Sequence, residues 1–445
     1  MIEGFIRDLG DGLVLRCSTE KDTEALVEFH SRIHSDAGLD NPDEYVAAWT
    51  RDLMTRPHPT FHVGDFTIVE DTVSRKIVSS LNLISQTWAY DGIEFEVGRP
   101  ELVGTHPEYR KRGLIRAQFE VIHEWGEQRG HKLQVITGIP YFYRQFGYEM
   151  ALPLGGGRIG YPHNVPMLGA NEQEPYCIRP ATEDDIPFLA QVYDVARARS
   201  LVSCVRDEGL WRYELCGRSE KNVNRAEIRV VETPEGTPAG FFVHSTFLEE
   251  GKLLVFMYEL NPGVSWLDVT PSLLRYLKET GEEYGRRKDR KQTFSNYYLN
   301  LGNEHPVYHV IPSLLPHKRP SYAWYLRVAD LPDFLGHISP VLEQRLADSL
   351  VVGYSGELRL NLYRRGINLI FEKGKLEEMD TWTPKSDEEG DVLFPGLTFL
   401  QSLFGYRSLN ELRDSYPDCF PRNDKGRILI ETLFPKRLSY VWAVT

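Results

Sequence analysis

A basic, glycine-containing turn is the part of the sequence with the clearest chemical potential. Residues 102–105 (LVGT) resemble the end of a strand, residues 110–113 (RKRG) form a turn, and an amphipathic helical pattern runs from Leu114 to about Gln128. The first turn of a helix has unpaired backbone N–H groups and the positive end of the helix dipole. Glycine there lets a ligand come close to the backbone. The sequence therefore predicts a phosphate or pyrophosphate site at this helix start.

The turn alone also fits a basic helix start exposed to solvent, and it is not a Walker loop, because G-x-x-x-x-G-K-S/T is absent from the sequence. A second cluster, residues 137–148 (TGIPYFYRQFGY), favours the ligand-binding interpretation. Its Tyr143 could donate a proton at neutral pH or could be one more packed aromatic. Thr137 could contact a ligand or simply end a strand.

Together the two clusters resemble the GNAT superfamily of acetyl-CoA-dependent N-acetyltransferases. The signature turn of that superfamily is Q/R-x-x-G-x-G/A, and residues 110–115 read R-K-R-G-L-I, with Ile115 in place of the usual small residue. The pairing of R-x-R-G-L with Y-x-x-F-G-Y more closely resembles the Eis-type acetyltransferases, named for enhanced intracellular survival. That family joins an active GNAT domain, a GNAT-like domain without the cofactor turn, and a C-terminal domain like sterol carrier protein. The resemblance covers essentially the whole chain.

The resemblance implies that acetyl-CoA is a co-substrate, and the sequence does not indicate a metal. The end of the strand would lie beside the pantetheine arm, with a bulge that frees a backbone N–H for the thioester carbonyl, and the turn would hold the pyrophosphate. Tyr143 would protonate the departing thiolate. The implied cofactor-binding residues are Leu102, Val103, Gly104, Thr105, Arg110, Lys111, Arg112, Gly113, Leu114, Ile115 and Thr137.

The reaction needs a neutral amine and hence a proton acceptor, directly or through water. In the Eis-type family this role belongs to the terminal carboxylate, which here would be that of Thr445, in an apolar segment (YVWAVT) able to dock as a strand. Other GNAT members place a glutamate on the strand before the turn, and Glu101 has that position, although it could also be an exposed strand residue. Glu94 and Glu96 are weaker candidates.

An internal repeat predicts a duplicated domain. Residues 15–22 (LRCSTEKD) match residues 178–185 (IRPATEDD), and each copy reads as a strand, an N-cap and an acidic first helical turn. The β-branched runs 66–70 and 228–232 extend the match. Residues 152–175, rich in Gly and Pro, separate the copies, and the second copy is expected to finish with the strand 321–328. Its position equivalent to the turn reads N-P-G-V-S-W, so we expect no acetyl-CoA site there.

The last part of the chain has a different pattern. Residues 358–363 alternate between apolar and polar, turns follow at 365–366 and 373–374, and residues 394–404 suggest a short helix ended by Gly405. We therefore expect an α/β (α+β) protein with mixed sheets flanked by helices. Residues 1–155 would form the catalytic GNAT domain, 170–329 a degenerate GNAT-like domain, and 330–445 a sterol-carrier-like α+β domain.

Composition limits the class of protein. The chain has 445 residues, 41% of them hydrophobic, a net charge of −13 and five scattered cysteines without metal-ligand spacing. The charge disfavours a nucleic-acid partner, and no long apolar run predicts a membrane segment. The basic run 286–291 fits a solvated helix end and loop. We expect a cytoplasmic protein, and the resemblance implies a homo-oligomer, such as a hexamer.

The resemblance to the acetyltransferases implies direct transfer of acetyl from acetyl-CoA to a primary amine in a ternary complex. The net charge fits a cationic acceptor such as an aminoglycoside, a polyamine or a lysine side chain. Two alternatives stay open: a non-catalytic acetyl-CoA sensor, and a carrier of lipid or other hydrophobic ligands that acts through the C-terminal domain.

Overall fold

The computed structural model describes residues 5–287, 292–386 and 389–445, so most of the basic run 286–291 lies outside the described residues. The strands are β1 (Ile6–Gly10), β2 (Leu13–Cys17), β3 (Phe66–Asp71), β4 (Lys76–Tyr90), β5 (Ile93–Thr105), β6 (Leu133–Ile136), β7 (Glu149–Leu154), β8 (Gly157–Gly160), β9 (Cys177–Pro180), β10 (Val202–Cys204), β11 (Ala226–Glu232), β12 (Pro238–Ser245), β13 (Lys252–Leu260), β14 (Asn296–Leu299), β15 (His317–Arg319), β16 (Tyr322–Val328), β17 (Gly356–Asn361), β18 (Gly366–Glu372), β19 (Lys375–Trp382), β20 (Val392–Leu393) and β21 (Phe420–Pro421).

The α-helices are α1 (Thr23–Ile33), α2 (Glu44–Thr55), α3 (Leu114–Gln128), α4 (Ile186–Arg197), α5 (Glu208–Arg212), α6 (Trp266–Arg286), α7 (Val307–Val310), α8 (Leu331–His337), α9 (Ser339–Ala347), α10 (Phe399–Leu403), α11 (Leu409–Ser415) and α12 (Asp424–Leu433). The architecture is mixed α/β, as the sequence predicts. Among the described residues, none of these helices has the length and apolar character needed to cross a bilayer.

The strands form three sheets. The first has the order β1-β2-β3-β4-β5-β6-β16-β7, with β10 paired to the end of β4, and the second has the order β15-β8-β14-β13-β12-β11-β9. The third, β19-β18-β17-β20-β21, begins with the expected antiparallel meander. The helix predicted over 394–404 is confined to α10, and Gly405 follows it with φ +64°.

Two strands exchange between the first two sheets. The sequence leads us to expect that the strand near 321–328 completes the second copy, but β16 lies between β6 and β7 of the first sheet. In return, β8 follows β7 directly and pairs with β14 and β15 of the second sheet. The expectation was wrong because strand pairing over this distance depends on tertiary packing, which the local apolar pattern does not encode.

The repeat in the sequence corresponds to the same ion triad in both halves. Arg16 makes a two-pronged contact with Asp22, at 2.9 and 2.8 Å, and also contacts Glu70. In the second half Arg179 contacts Asp185, at 2.7 and 2.8 Å, and Glu232. Each triad connects one strand (β2 or β9) to the start of the helix that follows it and to the neighbouring strand (β3 or β11).

Each of the first two sheets contains a parallel pair of strands that separates. β5 and β6 pair only at Val97–Leu133 and Gly98–Gln134, and diverge beyond them. β13 and β14 pair from Lys252–Asn296 to Val255–Leu299, after which the chains also part. A cleft therefore opens at the carboxyl end of the parallel pair in each sheet.

The end of the chain connects the three sheets. Trp88, Leu133 and Phe334 belong to one continuous buried core that the C-terminal part of the chain shares with the first sheet. In the cleft of the second sheet, the Tyr440 hydroxyl lies within hydrogen-bond distance of the carbonyl oxygens of Asn300 (2.8 Å) and Phe256. Residues 438–445 dock without forming a regular strand.

The Arg179 triad generates a prediction about stability and pH. Hydrogen bonds from Arg179 lower the pKa of Asp185 to about 2, below the value near 3.9 of an unfolded chain. A carboxyl group whose pKa is lower in the folded state stabilises the fold at pH values above its pKa in the unfolded chain. This stabilisation is lost as the pH falls through its pKa in the folded state. We therefore expect Asp185→Asn to lower the thermal midpoint at neutral pH, and the difference from wild type to shrink between about pH 4 and pH 2.

The matched control is Asp184→Asn, which removes the same charge from an exposed position in the same helical turn. It should change the midpoint little. Equal effects of the two substitutions at every pH would show that the triad makes no specific contribution.

Candidate active site

A cavity of about 980 Å³ lies where β5 and β6 diverge. Its walls are the end of β5, the start of α3, the end of β6 and a short 3-10 helix, Phe142–Phe146. The predicted residues that line it are Glu101, Leu102, Val103, Gly104, Thr105, Arg110, Lys111, Gly113, Leu114, Ile115, Thr137 and Tyr143. The structure thus brings together both sequence clusters in one cavity.

The turn before α3 has the geometry of an anion site. Gly113 is the N-cap of α3 with φ +76°, in the left-handed region that favours glycine, and a Cβ there would meet no protein atom within 4 Å. Lys111 also has a positive φ, of 64°. The free N–H groups of the first helical turn thus follow a turn whose unusual backbone places them at the cavity.

The basic residues of this turn divide into two groups. Arg110 and Lys111 line the cavity, but Arg112 is not among its lining residues, because its guanidinium lies over the Tyr109 ring at 5.1 Å. Arg116, which the sequence analysis missed, does line the cavity, donates to Gln145 at 3.2 Å and lies 5.1 Å from the centre of the Phe146 ring. Its position in the first turn of α3, three residues after Gly113, could have identified it from the sequence as a residue at the cavity.

The strand beside the cavity contains a bulge. Ser80 pairs with Gly104 and Asn82 with Glu101, so Leu102 and Val103 both face the single residue Leu81. Leu102 adopts φ +52°, which a leucine rarely does and which costs about 1–3 kcal/mol. A bulge removes ladder pairing locally and redirects backbone groups.

Tyr143 is buried, with 3% of its surface exposed, on the 3-10 helix at the far side of the cavity. Burial raises the pKa of its hydroxyl above the ordinary value, and the negative charge of Glu101 adds to that effect. Its ring packs among Phe119, Phe142 and Tyr325. Tyr143 is thus both a packed aromatic and a hydroxyl at the cavity that holds its proton firmly.

Glu101 is not exposed at a sheet edge. Only 15% of its side chain is accessible, and its Oε1 lies 2.5 Å from Nη2 of Arg99. Arg99 in turn donates to the carbonyl of Val444 at 2.7 Å. Glu94 and Glu96 are exposed on the same strand and do not line this cavity.

Thr445 lies in a second cavity of about 680 Å³, between the first two sheets and the last residues of the chain. Arg218 donates to its carbonyl oxygen at 3.0 Å and to its hydroxyl at 3.1 Å. Arg218 belongs to a buried ion cluster with Glu214 and Arg206. His58 also contacts Thr445, and burial and the positive charge of Arg218 lower its pKa to about 4. Thr137 lines both cavities, so they meet at the end of β6.

Helices α1 and α2 contribute residues that the sequence analysis did not single out. His34 lies at the end of α1, Trp49 lies on α2, and both line the cavity beside the bulge. The apolar spacing of these helices marks their buried face but not the cavity beyond it. Across the described residues, no group of three or more His, Cys, Asp or Glu side chains is placed to hold a metal ion.

Comparisons with known proteins agree with this geometry. The sequence model of the family described as "Acetyltransferase (GNAT) domain" matches residues 15–151, the segment that supplies the walls of the cavity. A search of curated proteins finds no match.

Several solved structures share the fold along nearly the whole chain. A probable N-acyltransferase from Enterococcus faecalis has a TM-score of 0.63 at 14% identity, covering 96% of this chain and 97% of that one. A GCN5-related N-acetyltransferase from Kribbella flavida has a TM-score of 0.62 at 17% identity, with coverages of 97% and 100%. Eis1 from Mycobacterium abscessus has a TM-score of 0.57 at 12% identity, with coverages of 97% and 100%. At these identities the likeness concerns the fold, while the matched domain defines the chemistry: residues 15–151 form a GNAT acetyltransferase domain, and the protein is an N-acetyltransferase.

Proposed function

We propose that this protein transfers the acetyl group of acetyl-CoA to a primary amine by direct attack in a ternary complex. The observation that carries the proposal is the meeting of the α3 helix start, the β5 bulge and Tyr143 around one cavity. These supply an anion site, backbone donors and a proton donor. The coarser conclusion, an acetyltransferase of the GNAT type, stands on the matched domain.

The start of α3 is proposed to bind the pyrophosphate of acetyl-CoA. Its free N–H groups and helix dipole favour an anion, and Arg110, Lys111 and Arg116 add positive charge at the same wall. The open space in front of Gly113 admits a ligand to the backbone. Leu102 to Thr105, on the wall of the cavity, would lie along the pantetheine arm, with Thr137 at the opposite strand.

The proposed reaction uses the bulge and Tyr143. The amine nitrogen forms a bond to the thioester carbonyl carbon, and a backbone N–H of the bulge donates to the oxygen that becomes negative. When the carbon–sulfur bond breaks, Tyr143 gives its proton to the departing thiolate and later recovers one from solvent. The raised pKa suits this role, because Tyr143 still carries its proton at neutral pH. No cysteine is among the described residues that line the cavity, which favours direct transfer.

We propose that Glu101 is the base that accepts the proton from the amine, with the carboxylate of Thr445 or a water molecule as alternatives. Glu101 lines the same cavity as Tyr143, whereas Thr445 lines the second cavity and its carbonyl oxygen accepts from Arg218. Arg99 connects the two candidates, because it contacts Glu101 and also holds Val444.

We also propose that the chain has the three-unit organisation of the Eis-type proteins, with units near 1–155, 170–329 and 330–445. The duplicated ion triads and the two diverging strand pairs support the repeat, although β16 and β8 cross between the first two units. Assembly into a homo-oligomer and a cytoplasmic location belong to the same proposal, since they rest on the resemblance and on composition.

The two alternative functions have less support. A lipid carrier would need apolar surface to line a tunnel, but Leu358, Leu360 and Leu369 of the third sheet are fully buried in a core. A sensor would not need a proton donor, but Tyr143 lies at the cavity together with Glu101.

The basic turn offers a test with an internal control. We expect Arg110→Gln and Lys111→Gln each to raise the acetyl-CoA dissociation constant about tenfold, because each removes a charge–phosphate contact worth about 1.5 kcal/mol. Arg112→Gln, in the same turn but stacked over Tyr109, should stay within about twofold of wild type. Isothermal titration calorimetry measures all three. An effect confined to Arg112→Gln would overturn the assignment.

Tyr143→Phe tests catalysis separately from binding. Loss of the general acid should lower kcat by about 10²–10⁴ while the acetyl-CoA affinity stays near wild type. The control is Tyr141→Phe, at a neighbouring tyrosine that is 71% exposed. Thiol release from acetyl-CoA with a panel of amines gives the rates. Unchanged kcat in Tyr143→Phe would remove its proposed role, and cofactor binding without any amine-dependent release would favour the sensor.

Glu101→Gln tests the proton acceptor. We expect about a 10²-fold loss of kcat, since general-base catalysis contributes that order, with acetyl-CoA affinity retained. Glu96→Gln, an exposed position on the same strand, is the matched control. A variant extended by two glycines after Thr445 should keep most activity. Full activity in Glu101→Gln together with loss on extension would instead assign the role to Thr445.

A further inference from the structure

The second cavity differs in charge from what the acidic composition of the chain suggests. Its buried carboxylate, Glu214, is neutralised by Arg206 at 3.0 Å and by Arg218. Arg99, another lining residue, is neutralised by Glu101. Glu214 balances only one of its two arginine partners, but Arg218 also donates to the carbonyl oxygen of Thr445, whose carboxylate supplies a second negative charge. With that carboxylate counted, these internal contacts present little net charge to a molecule that enters the cavity.

Two further arginines line this cavity. Among the described residues, no carboxylate oxygen lies within 4.0 Å of the guanidinium nitrogens of Arg225 or Arg319. Arg319 is exposed on β15, with its guanidinium 6.0 Å from the centre of the Tyr298 ring. Glu249 is the remaining acidic side chain of the lining, and it is exposed. Arg319 also lies in electrostatic range of Glu250, whose contact is with Lys252.

The buried polar atoms of the lining residues that lack a hydrogen-bond partner also favour a ligand with acceptor atoms. Asn224 Nδ2 and Trp324 Nε1 are buried and have no hydrogen-bond partner, and the same holds for Nε of Arg99 and of Arg218. All four are donors. Unpartnered donors in a wall favour a ligand rich in acceptor atoms, because leaving a buried donor unpaired is costly.

We propose that the acceptor amine also carries a carboxylate or similar anionic group, which Arg225 and Arg319 recognise in the second cavity. The inference rests on the proposed function and defines its substrate class. The amine end reaches the acetyl group past Thr137, the residue that both cavities share. The net charge of −13 does not oppose this, because charges further than about 10 Å away are screened. A purely cationic acceptor would instead meet two arginines.

The test compares three amines of similar length whose far ends differ in charge: δ-aminovalerate (anionic), pentylamine (neutral) and cadaverine (cationic). We expect kcat/KM to fall in that order for the wild-type protein. Arg225→Gln and Arg319→Gln should each lower kcat/KM for aminovalerate by about tenfold, mainly through KM, and leave the value for pentylamine within about twofold. Lys318→Gln is the control, since it removes the same charge from an exposed neighbour outside the cavity.

The outcomes separate the two proposals. A higher kcat/KM for cadaverine than for aminovalerate would overturn the carboxylate assignment and leave the acetyltransferase assignment intact. Equal losses of kcat/KM for aminovalerate and pentylamine in the arginine variants would have the same consequence. If the protein binds acetyl-CoA but releases no CoA with any of the three amines, with lysine peptides or with aminoglycosides, the proposed function is overturned, and this inference with it.

Discussion

The separation of β5 from β6 is the constraint on which the site depends. After two paired positions the strands part, so neither edge can satisfy the other's backbone groups and a cleft opens between them. The bulge at Leu102 and Val103 turns the edge of β5 further away from regular pairing. The α3 helix start and Tyr143 line the same cleft. Without the divergence, none of these groups would face a common space.

The second half of the chain repeats this geometry and uses it differently. Its strands β13 and β14 also part, but the hydroxyl of Tyr440 contacts the carbonyl of Phe256 in β13 and that of Asn300, the residue after β14. No basic residue occurs in the segment 261–268 that enters α6, and Asp268 places a negative charge in the first helical turn. A cleft of the same origin has therefore become a docking site for the end of the chain, which from there reaches the first sheet.

Arg99 connects the docked end of the chain to the proposed active site. One guanidinium contacts Glu101 beside the proposed acetyl-CoA cleft and also holds Val444 near the second cavity. Gln86 holds the same residue, donating to its carbonyl oxygen at 2.7 Å. The two cavities are thus positioned against each other by buried polar contacts, whose geometry is more restrictive than that of apolar packing.

The sequence by itself determined the local features: α3 over 114–128, the turn before it, the repeated strand-and-cap motif, the meander of the third sheet and the candidate residues Tyr143 and Glu101. The local elements depend on neighbouring residues, on helical or strand periodicity, or on a glycine at a turn that needs a positive φ. Tyr143 and Glu101 became candidates through the resemblance of their motifs to the acetyltransferase family. The tertiary structure alone decided that Arg112 points away, that Arg116 and Trp49 face the cavity, and that β16 joins the first sheet. It also decided that Arg225 and Arg319 line the second cavity without a carboxylate partner among the described residues. The physical reason is that side-chain direction, pairing between distant strands and local charge depend on contacts between residues far apart in the chain, which no pattern of neighbouring residues records.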